Sequence, residues 1–296
     1  MSAHISALYF YPLKSAGRIA VNTLQLDAWG GVHDRHWMLV NSTGLALTQR
    51  DYGAIGQLQP QIDGDALVLH SNSVKSLRIP ILRTAADVTL HDLQTTRAVV
   101  WGDDVPVIDA GDEASAWCES AIGAPCRLVQ LAPWGRRPVA QKYAGPLAAT
   151  DRHTTLSDGA PLLVLGDASL ALLNEKLRKR GVAVVGAERF RANVMLADAA
   201  AHEEDTWSVV CIGDVTLAFG TTCARCVMTT IDQHTGQRGS RLASEAGGEP
   251  LRTLALYRRA GTGIMFGVNV TNATPGVLRL GDVVHVQQRR NTAVTG

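Results

Sequence analysis

The sequence predicts a mainly β protein of the α+β class, made of two β-barrel-like halves with a few helices. Three observations carry this. Short segments rich in β-branched and aromatic residues recur in both halves, separated by turn-forming Gly, Asn, Asp, Ser and Pro. Only two stretches show helical periodicity bounded by start and stop signals. Strands and helices do not alternate as a βαβ sheet requires, so a barrel or sandwich is favoured.

In the first half, residues 5–11 and 19–26 read as strands, and 36–40 and 45–48 flank the turn Asn41-Ser-Thr-Gly44. Residues 57–62 and 66–70 flank Asp63-Gly64-Asp65, and strands at 88–93, 97–101 and 105–108 follow. A helix is expected over 112–122, with Asp112 and Glu113 at its electropositive start and Gly123 and Pro125 ending it. Residues 126–131 are strand-like, and 132–157 are aperiodic with several prolines. The expected division is therefore a first domain over 1–125, a second over 126–290 and a tail over 291–296.

In the second half, a buried strand at 161–165 leads into a helix capped by Asp167 or Ser169. Leu170, Leu173 and Leu177 form its apolar stripe, and its basic end runs into Gly181. Strands are expected at 193–196, 207–212, 215–219, 227–231, 265–270 and 283–286, with hairpin turns at Gly213-Asp214 and Gly281-Asp282.

The 296 residues are 46% apolar, enough for a substantial core, and 28 Lys+Arg against 27 Asp+Glu leave a net charge of +1. No broad field of one sign would draw the chain to nucleic acid or an anionic membrane, although a small anionic ligand needs only a few local cations. No run approaches the ~18 apolar residues of a membrane span, and the first residues do not read as a secretory signal. Five scattered cysteines do not make a disulfide scaffold. The expectation is a reduced, cytoplasmic protein.

Several common chemistries find no motif. There is no Walker loop, no Gly-x-Ser-x-Gly and no His-Glu-x-x-His, and Gly261-Thr-Gly263 is read as a tight turn entering a strand. The informative stretch is Cys223-Ala-Arg-Cys226, followed by Asp232-x-x-Thr-Gly236. Thiolate selects soft metals, and Arg225 between the thiols can supply the positive charge that keeps it deprotonated. Alone, this Cys-x-x-Cys stands open between structural thiols and function. A structural zinc site would need a second ligand pair, and a thioredoxin-like motif would open a helix. Cys118, Cys126 and Cys211 sit in apolar contexts and are read as core.

Distant strand ends add Lys14-Ser15, Asp34-Arg35, Thr48-Gln-Arg50 and Arg191-Ala-Asn193. Each alone reads as a solvated loop group. Together they suit an anionic, hydrogen-bonding cofactor.

With Ser157-Asp158-Gly-Ala-Pro161, these motifs occur in the order of MOSC-domain proteins. The chain resembles the subgroup with an N-terminal MOSC β-barrel domain, which includes the mitochondrial amidoxime-reducing component and bacterial reductases of N-hydroxylated bases. The resemblance implies an N-terminal MOSC-type β-barrel domain followed by a MOSC β-barrel domain. It also implies a molybdenum cofactor, with Cys226 as the protein ligand to the metal. Lys14, Ser15, Arg35, Thr48, Arg50, Arg191, Asn193 and Arg225 are implied as cofactor-binding, and Asp158 as a catalytic group beside the metal, a proton donor or relay. The implied activity is reduction of amidoximes, hydroxylamines and N-hydroxylated bases, driven by an external flavin or iron–sulfur protein. Sulfur transfer through a cysteine persulfide, or cofactor carriage without turnover, are the alternatives. One departure stands out: the subgroup's Ser-Asp-Thr-Ser-Pro is here Ser157-Asp158-Gly159-Ala160-Pro161, without two hydroxyls.

Overall fold

The computed structural model describes residues 2–147, 152–238 and 248–290; the expected tail lies outside them. Its largest sheet runs in the order Ile19–Val21, His4–Phe10, Val194–Ala197, Leu162–Gly166, Gly263–Asn272, Val215–Ala224, Trp207–Ile212 and His285–Arg289. Arg259–Ala260 pairs beside Gly263–Asn272, so the glycine-rich Gly261–Gly263 stretch is a hairpin turn, as read from the sequence. Within this sheet Leu162–Gly166 and Val194–Ala197 run parallel, joined through the helix Asp167–Lys179. The first strand of the chain thus sits between its sequence neighbour Ile19–Val21 and Val194–Ala197 from the second half.

A four-stranded sheet joins Trp37–Val40, Arg127–Leu131, Asp103–Asp109 and Thr95–Val100. A three-stranded sheet of Gln59–Asp63, Ala66–His70 and Leu77–Pro80 packs nearby, and the helix Asp112–Ile122 covers their shared core. That core includes Leu13, Trp37, Leu39, Ile55, Leu67, Cys118 and Leu128, whereas Ile5, Leu8, Trp207, Phe219, Val268 and Val270 fill the large sheet. The protein is mainly β, with an N-terminal and a C-terminal barrel-type part. Among the described residues no helix is long and apolar enough to cross a membrane.

Several local expectations change. Residues 88–93 form no strand: 88–90 end the helix Ala85–Leu90, which the Thr84–Asp87 capping box starts, and 91–93 follow it as a turn. Residues 227–231 are not a strand but the 3-10 turn Val227–Thr230, where the Thr229 and Thr230 hydroxyls donate to the Cys226 and Val227 carbonyls. Residues 45–48 make only isolated bridges, at Leu45 and Ala46. Gly281-Asp282 joins two strands of different sheets and is not a hairpin turn. The predicted strand at 19–26 divides at Asn22 into Ile19–Val21 and Thr23–Asp27, which serve different sheets. Cys118 and Cys126 are core residues, but Cys211 is only half-buried.

Candidate functional site

Three loops from distant parts of the chain are tied together by hydrogen bonds that each use at least one backbone group. Tyr11 N donates to Asp34 Oδ1 at 2.7 Å, and Arg35 N to the Tyr11 carbonyl at 2.8 Å. Leu156 N donates to the Arg35 carbonyl at 3.0 Å, and Thr155 Oγ1 to the Asp34 carbonyl at 2.7 Å. Residues 11–16, 34–35 and 154–158 therefore form one rigid floor.

On this floor the Tyr11 ring is a platform for two guanidiniums. Arg35 Cζ lies 4.3 Å and Arg191 Cζ 4.2 Å from its centroid. Burial pushes the Tyr11 phenol up to about 12, against the lowering pull of Arg191 and Arg35, so it stays neutral while its hydroxyl donates to the Ala192 carbonyl at 3.0 Å. Arg35 pairs with the buried Asp34 and donates to Asn193 Oδ1 at 3.0 Å and to the Arg191 carbonyl at 3.1 Å. Arg191 donates through Nη1 to the Ala16 carbonyl at 2.6 Å, whereas its Nη2 is buried with no partner among the described residues. Burial, then the neighbouring Arg35, pulls the Arg191 guanidinium down to about 10. It remains cationic at neutral pH. An anion placed at Nη2 would supply the missing acceptor and relieve the repulsion.

Beside this pair, the buried Lys14 donates to the Leu156 carbonyl at 2.9 Å and forms an ion pair with Asp158. The protein around Asp158 pushes its carboxyl up, but Lys14 outweighs that, assisted by the Trp101 indole and Arg50. The carboxyl is held well below the usual carboxylate range, so Asp158 is an ionised acceptor at neutral pH. Trp101 Nε1 donates to the same Oδ1 at 3.0 Å. Arg50 stacks on the Trp101 ring at 4.9 Å and donates through Nη2 to Cys226 Sγ at 3.2 Å. A continuous chain of contacts thus runs from Lys14 to an exposed thiol.

The two cysteines are separated by their partners. Arg225 donates through Nη1 to Cys223 Sγ at 3.0 Å and through Nη2 to the Phe190 carbonyl at 2.8 Å. Arg225, expected to supply positive charge to the thiol, serves Cys223, and the guanidinium at Cys226 is Arg50. Behind Cys226, Asp232 Oδ1 accepts from His234 N and Thr235 N, and Arg189 donates to Asp232 Oδ2 at 2.6 Å. This loop docks on the Arg50 loop. Gln57 Nε2 donates to the His234 carbonyl at 2.8 Å, and the Gly53 backbone meets the Gly236 carbonyl so closely that a Cβ would collide with it.

Other residues singled out from the sequence are buried below these groups. Asn193 is fully buried, and its amide is consumed by Arg35, by Leu163 N at 3.1 Å and by the Tyr9 carbonyl at 3.2 Å, so it positions Arg35. The Thr48 hydroxyl donates to Asp51 Oδ2 at 3.0 Å and accepts from Arg50 N at 3.2 Å, shaping the Arg50 turn. Ser15 is buried, and its carbonyl accepts from Gln49 Nε2 at 2.6 Å. Sequence reasoning missed Arg137, which is buried and grips the Ser157 and Asp158 carbonyls while pairing with Asp103. It also missed Trp101. A signal was present, because Trp101-Gly102 occupies a two-residue hairpin turn where Asn-Gly is usual. The absent hydroxyl at Gly159 has a structural reason: a Cβ there would lie 2.5 Å from the Tyr143 ring.

Backbone strain gathers at the same place. Ser15, Arg35, Trp101 and Arg191 have φ of 68°, 51°, 54° and 56°, four of the eight described non-glycine residues in the left-handed region. Such strain persists where surrounding contacts impose it, commonly at functional sites.

Two barrel-type parts whose loops bring cations, an ionised carboxylate and an exposed thiol into one chain of contacts agree with the family matches. Residues 2–125 match the MOSC N-terminal beta barrel domain and residues 151–285 the MOSC domain. The chain belongs to the family of MOSC-domain proteins with an N-terminal MOSC β-barrel domain. It is 30% identical over 295 residues to mitochondrial amidoxime-reducing component 1 of Mus musculus, covering 95% of this chain and 82% of that one. The Homo sapiens protein of the same name has the same identity and coverage. The molybdenum cofactor sulfurase of Danio rerio is 30% identical over 301 residues, which cover 96% of this chain but 34% of that protein.

Proposed function

We propose that the cleft holds a molybdenum cofactor through Cys226 and that the protein reduces N-hydroxylated compounds such as amidoximes, hydroxylamines and N-hydroxylated bases. The observation that carries this reading is the exposed Cys226 thiol, joined by Arg50, Trp101, Asp158 and Lys14 to a floor on which Arg191 Nη2 is a buried donor without a partner. The relatives named for amidoxime reduction support the same activity.

The residues suit such a group at both ends. Thiolate is a soft donor fit for molybdenum, and the Arg35–Arg191 pair with Lys14 fits the terminal phosphate of the pterin. When bound, the cofactor supplies the two-electron chemistry that removes oxygen from nitrogen. The chain's own groups do the rest. Cys226 anchors, Arg50 keeps positive charge at the sulfur, and Asp158, held ionised by Lys14, accepts a hydrogen bond from the substrate N–OH and orients it. Protons come from solvent through the open cleft. Electrons come from a separate flavin or iron–sulfur protein, and the reducing cytoplasm suits a metal-binding thiol.

The test is metal content and turnover together. Protein produced with molybdate should carry about one molybdenum per chain and reduce benzamidoxime with a chemical reductant. Cys226→Ser should abolish the turnover and Cys223→Ser should be milder; full activity in cofactor-loaded Cys226→Ser would end the assignment. The sulfurase likeness supports a second reading, in which Cys226 carries sulfane sulfur. Sulfane label on Cys226 in molybdenum-free protein would favour it.

A further inference from the structure

Trp101 occupies an unusual position for so large a residue. It forms the tip of the hairpin between Thr95–Val100 and Asp103–Asp109, with φ of 54° followed by Gly102 at 92°. A bulky residue at positive φ in a two-residue turn is a genuine outlier, since Asn or Gly fits there without strain. Its ring is 60% exposed, so burial does not hold it in place. It is held instead by its polar edge and its face: Nε1 donates to Asp158 Oδ1 at 3.0 Å, and Arg50 stacks at 4.9 Å. A tryptophan that only decorated a hairpin tip would have neither restraint.

We infer that Trp101 is the substrate platform of the cleft, selecting planar aromatic N-hydroxylated compounds, such as aryl amidoximes and N-hydroxylated nucleobases, over acyclic ones. The inference rests on the reductase reading and gives its substrate class. Trp101 is 60% exposed and bonded to Asp158, and one indole face rests on the Arg50 that reaches Cys226, so the opposite face is an apolar surface beside charged groups. An aromatic ring laid on it gains stacking and sheds water, at little entropic cost because the indole is already fixed. An acyclic substrate gains only the polar contacts, which both classes share. The hydrogen bond to Asp158 makes Trp101 a positioning residue too, so the discriminating quantity is a ratio between substrates.

The experiment uses cofactor-loaded wild type, Trp101→Ala and Trp101→Phe. Steady-state kinetics with benzamidoxime and acetamidoxime give the ratio of kcat/KM values, and calorimetry gives Kd for the reduced products benzamidine and acetamidine. Trp101→Ala should lower the aromatic-to-acyclic ratio about tenfold, mostly through KM, and narrow the Kd gap about as much. Trp101→Phe keeps a ring but loses the N–H, so it should hold the ratio within about threefold of wild type. A ratio unmoved in Trp101→Ala, or lowered equally in Trp101→Phe, overturns the platform. If wild type reduces neither amidoxime, the reductase reading fails, and the Kd gap decides the platform alone.

Discussion

Lys14 and Asp158 form an ion pair whose halves differ sharply in exposure: the lysine side chain is 6% accessible and the carboxylate side chain 58%. The buried cation thus sets the protonation of a group that faces solvent. Burial pulls Lys14 down and Asp158 opposes that pull, while Lys14 in turn keeps Asp158 ionised. A carboxyl depressed in the folded state contributes stability above its ordinary value near ~4, and that stability is lost as pH falls through the depressed value. The wild-type rate should therefore show no acid limb from Asp158 at or above about pH 4. Lys14→Met leaves the crowding around the carboxyl unopposed by its main cation. An acid limb should then appear at or above about pH 4 in the pH–rate profile.

Asn193 shows how a functional cation is held from below. Its side chain accepts from Arg35 and Leu163 N and donates to the Tyr9 carbonyl, with no exposure to solvent. Asn193→Ala strands those partners in the interior. Urea unfolding should show a loss of about 2 kcal/mol. Because Arg35 loses a fixed acceptor, cofactor retention on gel filtration should fall as well.

Much of this architecture was legible in the sequence. The helix Asp112–Ile122 was expected at its observed bounds, because its acidic first turn and Gly123, in the left-handed conformation at φ 75°, mark both ends. Residues 88–93 misled because Val88, Leu90 and Leu93 look strand-like in a short window. The Thr84–Asp87 box that starts a helix lies just upstream of that window. The cationic loops were found as residue types at strand ends, yet their separate depths could not be read. Thr48 and Asn193 are polar like Arg50 and Arg191, and only packing decides that the first two are buried and the arginines are not wholly so. The pairing of Arg50 with Cys226 spans 176 positions and leaves no local trace. Nothing in Cys223-Ala-Arg-Cys226 indicates that Arg225 turns to the first thiol.

The Gly53–Gly236 approach couples the thiol loop to the Arg50 loop without any side chain. A Cβ at Gly53 would collide with the Gly236 carbonyl and also crowd its Cα at 3.2 Å. Both neighbours are backbone, so relief requires one loop to move. Gly53→Ala should cost about 1–3 kcal/mol in thermal unfolding. It should also speed proteolysis within residues 232–238, the loop that the contact holds in place.

The Gly159 departure can be tested by restoring what the subgroup carries. A threonine Cβ at 159 would lie 2.5 Å from Tyr143 Cε2 and 2.8 Å from Cζ. The Tyr143 backbone is held in the short helix Gln141–Ala144 and against Gly220, so relief has to come from turning its half-buried ring. Gly159→Thr alone should therefore destabilise the protein by about 1–3 kcal/mol, an overpacking cost. Tyr143→Ala opens the space the new side chain needs, so in that background the same substitution should cost much less. The double-mutant cycle should give a coupling of about 1–2 kcal/mol, with the double variant more stable than the two single effects sum to. Additive effects would mean that the Tyr143 ring is not what keeps position 159 a glycine.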